Sequence, residues 1–523
     1  MLRAKRESTF SGVYMQTRSL LAVLATLSFG SLVLAACESS SASNAPSDAG
    51  GQDAAVATDA PTGPGDDGGT GSDAVATCNK HLPTGFSEAA GSGVDLNFGQ
   101  HVSMALDEND DPLLAYLAVK ASVDGNVAPG TCAPATGSNA GCQAVYFTRW
   151  DPCAGAFTTP VVVDPVTNAY NPTKAQHLTL AYDSSTKEIG IAYQKSLPTD
   201  PGWLDAYDAI FLATKKPGAT AFSVQQASDN VRSGVTSVST ATIPALAMGN
   251  GKIYMAFTTG TGAPTPCPAN HMCIRFLQST TTAGPDAGNP EGGPAAHSFE
   301  YSLVPNSQGF MGFAIPRQLS ISVAVDAMGR PGVAYLEEPE TGYNTFLNYW
   351  RAGAADSVKV TDTKNGQNDF ATVSLAFAGL KPRVAGILTA DAASYGITYV
   401  SSPDDGTTWN APVPLLTTSG ANFYSSLAVG SAGEAISSHH NGSASDVSVA
   451  AGCTTNPIVA RSTNGGASFT GCSLSSTEVD MNGALSSAYG ATRLAGKLVL
   501  VGHSTSTIAD GGPGSGIIYY QDP

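Results

Sequence analysis

VSMALDENDDPLLAYLAVK, residues 102–120, has the grammar of a β-hairpin: an alternating run, an acidic turn, then a second apolar run. The same grammar returns in LTLAYDSSTKEIGIAYQKS (178–196) and ISVAVDAMGRPGVAYLEEP (321–339). Asp107, Asp183 and Asp326 fall at one place in these copies, and Tyr116, Tyr193 and Tyr335 at another. Weaker copies are IPALAMGNGKIYMAFTT (243–259), VSLAFAGLKPRVAGILT (373–389), SSLAVGSAGEAISSHHN (425–441) and SSAYGATRLAGKLVLVGHS (486–504). Seven copies at intervals of roughly 50 to 75 residues mark a repeat architecture.

Second hairpins follow the first: VYFTRWDPCAGAFTTPVVV (145–163), AIFLATKKPGATAFSVQQA (209–227) and TFLNYWRAGAADSVKVTD (345–362). Four antiparallel strands per repeat make the blade of a β-propeller. The predicted fold class is therefore all-β, a single propeller over residues 78–523 with seven blades, six being the alternative. A pair of β-sandwiches does not account for repeated hairpin pairs. The last copy ends one strand short, at IIYYQDP (517–523), and TGFSEAAGSGVDL (84–96) is placed to supply the missing strand. Such closure joins the chain ends and covers the sheet edges. Composition agrees, since only 13% of residues are charged and Gly, Ala, Ser and Thr abound, which suits short strands and small-residue turns rather than exposed helices.

Residues 1–36 read as a secretory signal. Arg3, Lys5, Arg6 and Arg18 make a basic opening, and Ser19–Ala36 is uncharged and rich in Leu, Val and Ala. Leu34-Ala35-Ala36-Cys37 resembles the bacterial lipobox, which implies cleavage before Cys37 and acylation of that residue. Several acyl chains anchor firmly where one binds only marginally. Glu38, not Asp, follows the cysteine, which favours the outer membrane or cell surface over the inner membrane. Residues 37–77 form the expected lipid-anchored linker: Ser39–Ala76 is almost all Ser, Ala, Gly, Asp, Pro and Thr without an aromatic, too little apolar surface to fold. About 40 residues of flexible coil span roughly 35 Å.

The mature part carries eight further cysteines, an even number that suits disulfides in an exported chain. Spacing suggests Cys132–Cys142, Cys267–Cys273 and Cys453–Cys472, leaving Cys78 with Cys153. With 42 acidic and 25 basic residues the net charge is −17, a poor match for nucleic acid or anionic lipid. The membrane is expected as a partner only through the lipid anchor.

Two outer hairpins carry a sharper pattern. Ser402-Pro403-Asp404-Asp405-Gly406-Thr407-Thr408-Trp409 has the S-x-D-x-G-x-T-W form, and Ser462-Thr463-Asn464-Gly465-Gly466-Ala467-Ser468-Phe469 varies it with Asn for Asp and Phe for Trp. The carboxylate accepts N–H groups of its own turn, glycine takes angles that other residues resist, and the aromatic packs between blades. These octapeptides resemble the Asp-box, or BNR repeat, of sialidase-like propellers. The resemblance implies that they are structural, lying between third and fourth strands on the face opposite the substrate pocket.

Sialidases grip a carboxylate with three arginines and use a Tyr–Glu pair and an Asp. Here Arg330, Arg383, Arg493, Arg351 and Arg461 map to the opposite face, Arg149 and Arg275 lie within third strands, and only Arg232 and Arg317 reach the functional face. No catalytic residue is assigned. The candidate binding residues on that face are His101, His177, Arg317, Tyr335, Glu337, Glu338, His439, His440 and His503. The run Asp107-Glu108-Asn109-Asp110-Asp111 suits calcium by ligand type but lacks the spacing of a known loop; no cofactor is expected, calcium being the one candidate. The expected function is non-catalytic binding of a glycan, peptide or protein ligand, with a sialidase-like glycoside hydrolase as the alternative.

Overall fold

A computed structural model describes residues 80, 82–90, 102–119, 143–164, 177–197, 207–228, 241–259, 271–280, 297–310, 320–337, 345–363, 373–387, 395–418, 423–440, 458–473, 481–504 and 516–523. Cys37, the linker and most of the long loops lie outside these residues, and each expected disulfide has at least one cysteine outside them.

The described residues form seven antiparallel sheets, six of four strands and one of five, with no helix. The innermost strands are Val102–Leu106, Leu178–Asp183, Ala241–Gly249, Ile321–Val325, Val373–Ala378, Phe423–Gly430 and Met481–Tyr489. Each packs on the next, and the seventh packs on the first, so the sheets close into a seven-bladed propeller. The last sheet takes its outer strand from the start of the domain: Gly85–Ala90 pairs with Gly516–Gln521, Gly85 opposite Gln521.

Alternation in the strands sends apolar side chains to both faces of every sheet, where the neighbouring blades bury them. Seven apolar clusters result, and each is shared by two adjacent blades. Val102, Met104 and Tyr116 of the first blade join Val499, Val501 and Tyr519 of the seventh. Ala245 and Ala247 of the third join Val323, Val333 and Tyr335 of the fourth.

The repeated residues have matching structural duties. Asp107, Asp183 and Asp326 close the turns between first and second strands by accepting N–H groups two and, for Asp107 and Asp326, four residues on. The tyrosines are almost wholly buried. Tyr193 Oη donates to Asp164 at 2.5 Å and Tyr335 Oη to Pro305 O at 3.0 Å, each reaching a fourth strand of the preceding blade.

The two octapeptides fold alike. Asp404 Oδ1 accepts the N–H groups of Gly406, Thr407 and Thr408 at 3.1, 2.9 and 3.1 Å, and Thr408 Oγ1 donates to Oδ2 at 2.7 Å. The Thr408 hydroxyl and amide, with Ser402, hold this carboxyl well below the usual carboxylate range. In the second turn Asn464 Oδ1 accepts Ser468 N–H at 3.0 Å, and Asn464 Nδ2 donates to Ser468 Oγ at 2.8 Å. Trp409 meets Tyr349 edge-on at 5.3 Å, and Phe469 meets Tyr399 likewise at 4.9 Å. Each octapeptide thus seats its aromatic on a tyrosine of the preceding blade.

Candidate binding site at the mouth of the central channel

The first strands start on one face and converge on the propeller axis. There they enclose a cavity of about 170 Å3, lined by residues of all seven blades. Its wall alternates aliphatic side chains (Val102, Leu178, Ile321, Val373, Leu485) with polar ones (Ser103, Thr179, Ser320, Ser322, Ser486). His177 stands just before its blade's first strand and also lines the cavity.

Hydroxyls brace the blades to one another around the axis. Ser103 Oγ accepts Leu180 N–H of the next blade at 3.0 Å, Ser322 Oγ accepts Leu375 N–H at 3.0 Å, and Ser374 Oγ accepts Leu427 N–H at 3.0 Å. Ser426 Oγ accepts Ser487 N–H at 2.9 Å, and Ser486 Oγ accepts Met104 N–H at 3.2 Å, carrying the chain of bonds past the closure. Thr179 Oγ1 instead donates to Pro244 O at 2.8 Å. In the third blade the matching position is Ala245. Sequence reasoning missed this ring, although its signal is present: the seven first strands share a [ST]-x-Ala spacing, Ser103/Ala105, Thr179/Ala181, Ser322/Ala324, Ser374/Ala376, Ser426/Ala428 and Ser486/Ala488, with Ala245 the exception. A serine oxygen that accepts one N–H still has its own proton to donate, so Ser103 and Ser322 present O–H groups at the cavity wall.

Among the described candidate residues, His177 alone lines the cavity. Tyr335 lies in the core between blades, so its side chain serves packing. Glu337 ends the second strand of the fourth blade on the same face, and Asn348 Nδ2 donates to its Oε2 at 2.6 Å. Burial pushes the Glu337 carboxyl up, against the lowering effect of Asn348 and Lys359. His503 is buried near the end of a second strand, opposite Ile517. His439 and His440 end another, Gly433–His440, but their side chains lie outside the described residues. His101, Arg317 and Glu338 also lie outside them, as does Arg232.

The arginines of the described residues fall as their spacing predicts. Arg330 and Arg351 bond Asp326, and Arg493 bonds Asp111, all on the far face. Arg383 lies 3.5 Å from Glu434, Arg461 lies 2.6 Å from Asp522, and Arg275 is buried in a third strand. The acidic turn 107–111 is occupied by donors of the chain itself. Asp107 accepts Asn109 and Asp111 N–H, while Asp110 accepts Ala491, Thr492 and Leu494 N–H at 2.9, 2.7 and 2.8 Å. Glu108 bonds Tyr182 and Lys187, the Lys187 bond being the main cause that holds it down to about 2. No group of three or more His, Cys, Asp or Glu able to hold a metal occurs among the described residues.

No protein-family model matches the chain, and no curated protein matches it. Solved structures do. The sialidase of Trypanosoma rangeli bound to the inhibitor DANA matches with a TM-score of 0.36 at 11% identity, covering 65% of this chain and 54% of that one. The Hadza microbial sialidase Hz136 matches with a TM-score of 0.37 at 10% identity, covering 65% and 62%. A polysaccharide lyase of family PL25, an ulvan lyase, matches with a TM-score of 0.36 at 12% identity, covering 64% and 75%. The chain thus spans a little over half the length of these two sialidases. At such identities and TM-scores the likeness says nothing about function.

Proposed function

We propose that this chain is a cell-envelope lipoprotein whose propeller binds the end of a neutral glycan at the channel mouth without catalysing a reaction. The observation that carries the proposal is the cavity wall, where hydroxyls alternate with aliphatic side chains around a space of about 170 Å3. Sugars present the same alternation of O–H and C–H. Whole ligand pockets run from roughly 300 Å3 upward, so the cavity takes one ring and the rim takes the rest. The −17 net charge favours a neutral ligand over an acidic one.

The test is titration calorimetry of the detergent-solubilised full chain against neutral oligosaccharides. His177→Gln, at the cavity wall, is expected to weaken binding at least tenfold with an unchanged melting temperature. Equal binding by this variant removes the channel mouth from the proposal. The alternative, glycoside hydrolysis, draws support from Glu337, whose raised carboxyl on the same face suits a proton donor. Release of reducing ends during the same titration, lost in Glu337→Gln, would replace binding with hydrolysis.

Anchoring through Cys37 is part of the same proposal, supported by the lipobox-like Leu34-Ala35-Ala36-Cys37 and by an aromatic-free linker after it. The two octapeptides enter it as Asp-box repeats, on the strength of their matching turns. Mass spectrometry of the chain purified from membranes is expected to find an N-terminal acylated Cys37 peptide. A chain beginning at Cys37 with an unmodified thiol rejects the anchor.

A further inference from the structure

The ring of hydroxyls around the axis serves five of the seven matching N–H groups; among the described residues those of Leu246 and Val323 take no hydroxyl of the preceding blade, and both residues line the cavity. Ten of its sixteen lining residues belong to the second, third and fourth blades, the arc that contains Ala245. What the gap at Ala245 exposes follows from the strand register. In the fourth blade Asp326 N–H donates to Arg330 O and Leu336 N–H to Ser320 O. These bonds fix the alternation: residues 320, 322 and 324 face the second strand, and 321, 323 and 325 turn their N–H groups away from it. In the fifth blade the equivalents of 321 and 323 are Val373 and Leu375, whose N–H groups are taken by Ser320 Oγ at 2.7 Å and Ser322 Oγ at 3.0 Å. Leu180, Leu427, Ser487 and Met104 are served in the same way by a serine of the preceding blade. Leu246 and Val323 are not: Thr179 Oγ1 donates to Pro244 O instead of accepting Leu246 N–H, and the blade before Val323 presents the methyl group of Ala245, which accepts nothing.

We infer that the Val323 N–H is the anchoring donor of the channel site and takes an uncharged oxygen, a hydroxyl or acetamido carbonyl, from the terminal ring of the neutral glycan proposed above. The inference rests on that reading and deepens it. A buried N–H without an acceptor costs about 1–3 kcal/mol, so the gap is a standing demand for a ligand oxygen or a water. The groups beside it fit a neutral ring. Ser322 and Thr179 supply hydroxyls, Ile321 and Leu246 supply aliphatic contact, and His177 supplies the one ionisable side chain among the described lining residues. With no Lys or Arg among its described lining residues and an acidic protein around it, the gap offers an anion little.

Ala245→Ser restores the [ST]-x-Ala pattern and closes this gap. Two measurements on the full chain separate this inference from the function it rests on. The first is hydrogen exchange of 15N-valine-labelled chain without ligand. Val323 is expected to exchange at least tenfold faster than Val373, which Ser320 caps, and Ala245→Ser is expected to slow Val323 at least tenfold. Ser374→Ala, which uncaps Leu427, serves as the reverse control, read from the exchange of the peptide containing that residue. Unchanged Val323 exchange in Ala245→Ser overturns the inference whatever the ligand. The second is calorimetry with glucose, galactose and N-acetylglucosamine against glucuronate and N-acetylneuraminate. The wild-type chain is expected to bind at least one neutral sugar and Ala245→Ser to bind it at least tenfold more weakly. Equal binding by both chains, or tighter binding of the acidic sugars, overturns the anchoring role while leaving a binding function standing. No binding of any sugar by the wild-type chain, with the exchange difference present, sinks the glycan reading and leaves the gap as fact.

Discussion

Gly466→Ala is expected to cost the protein about 3–5 kcal/mol, while Gly465→Ala beside it costs only about 1. Both glycines have positive φ, +83° and +74°, so an alanine at either bears the left-handed backbone penalty. They differ in what a Cβ meets. At Gly465 nothing lies within 4 Å, whereas at Gly466 the atom falls 2.0 Å from Tyr399 Cε1. Tyr399 cannot yield. It is fully buried, its ring is held edge-on by Phe469, and its hydroxyl reaches Glu434 at 3.3 Å. Nor can the turn back away, because Gly466 N–H is tied to Ser462 Oγ at 2.9 Å. Gly406 repeats the arrangement one blade earlier, with φ +103° and a Cβ position 2.2 Å from Tyr349 Cε1. Urea unfolding of the two variants checks the expectation, and equal losses at 465 and 466 would show that the turn's backbone, not the tyrosine seat, sets the cost.

Asp326→Ala is expected to cost about 3–5 kcal/mol, the scale for removing one partner of a buried ion pair. The side chain of Asp326 is wholly buried. Its carboxylate accepts Met328 and Arg330 N–H at 2.9 Å each, Arg330 Nε at 2.8 Å and Arg351 Nη1 at 3.2 Å. Arg351 then reaches into the fifth blade, donating to Leu380 O and Asp405 O at 3.2 Å. Losing the carboxylate strands a guanidinium between two blades. The same group gives a pH dependence. Burial alone would raise its pKa, but the Arg330 and Met328 N–H groups and the Arg330 side chain outweigh burial and hold it below the ordinary 3.8. A depressed folded-state pKa contributes stability that is present above about pH 4 and is lost as pH falls below that, where the unfolded chain takes up the proton first. Asp110 and Asp183 are lowered in the same direction by their turn and neighbouring-blade N–H groups, against burial. The melting temperature of the wild-type chain should therefore drop steeply between pH 4 and 2, and the Asp326→Ala curve should drop less over that window. Parallel curves would mean that Asp326 titrates as it does in the unfolded chain.

The hairpin copies, their number and the need for a borrowed strand were legible in the sequence because they rest on local chemistry. Side-chain alternation and an Asp-led turn act within ten residues, and the copies 102–120, 178–196 and 321–339 repeat them openly. The borrowed strand could be read too, as Gly85–Ala90, since a last sheet short of a strand must be completed by the other chain end. The faces of the described arginines followed from strand count alone. The duties of particular side chains did not. Tyr335 looked like a rim aromatic but is core, because whether it faces a ligand or the preceding blade depends on how far Pro305 reaches. His177 and Ser322 meet at one cavity although more than a hundred residues separate them. The hydroxyl ring and its gap at Ala245 join a side chain of one blade to an N–H of the next, across intervals of about 50 to 75 residues. By itself the sequence determined how each blade is built and that the blades close. Which N–H groups are capped and which are left for a ligand was decided only when the blades packed, since that depends on the register between strands that share no hydrogen-bonded ladder.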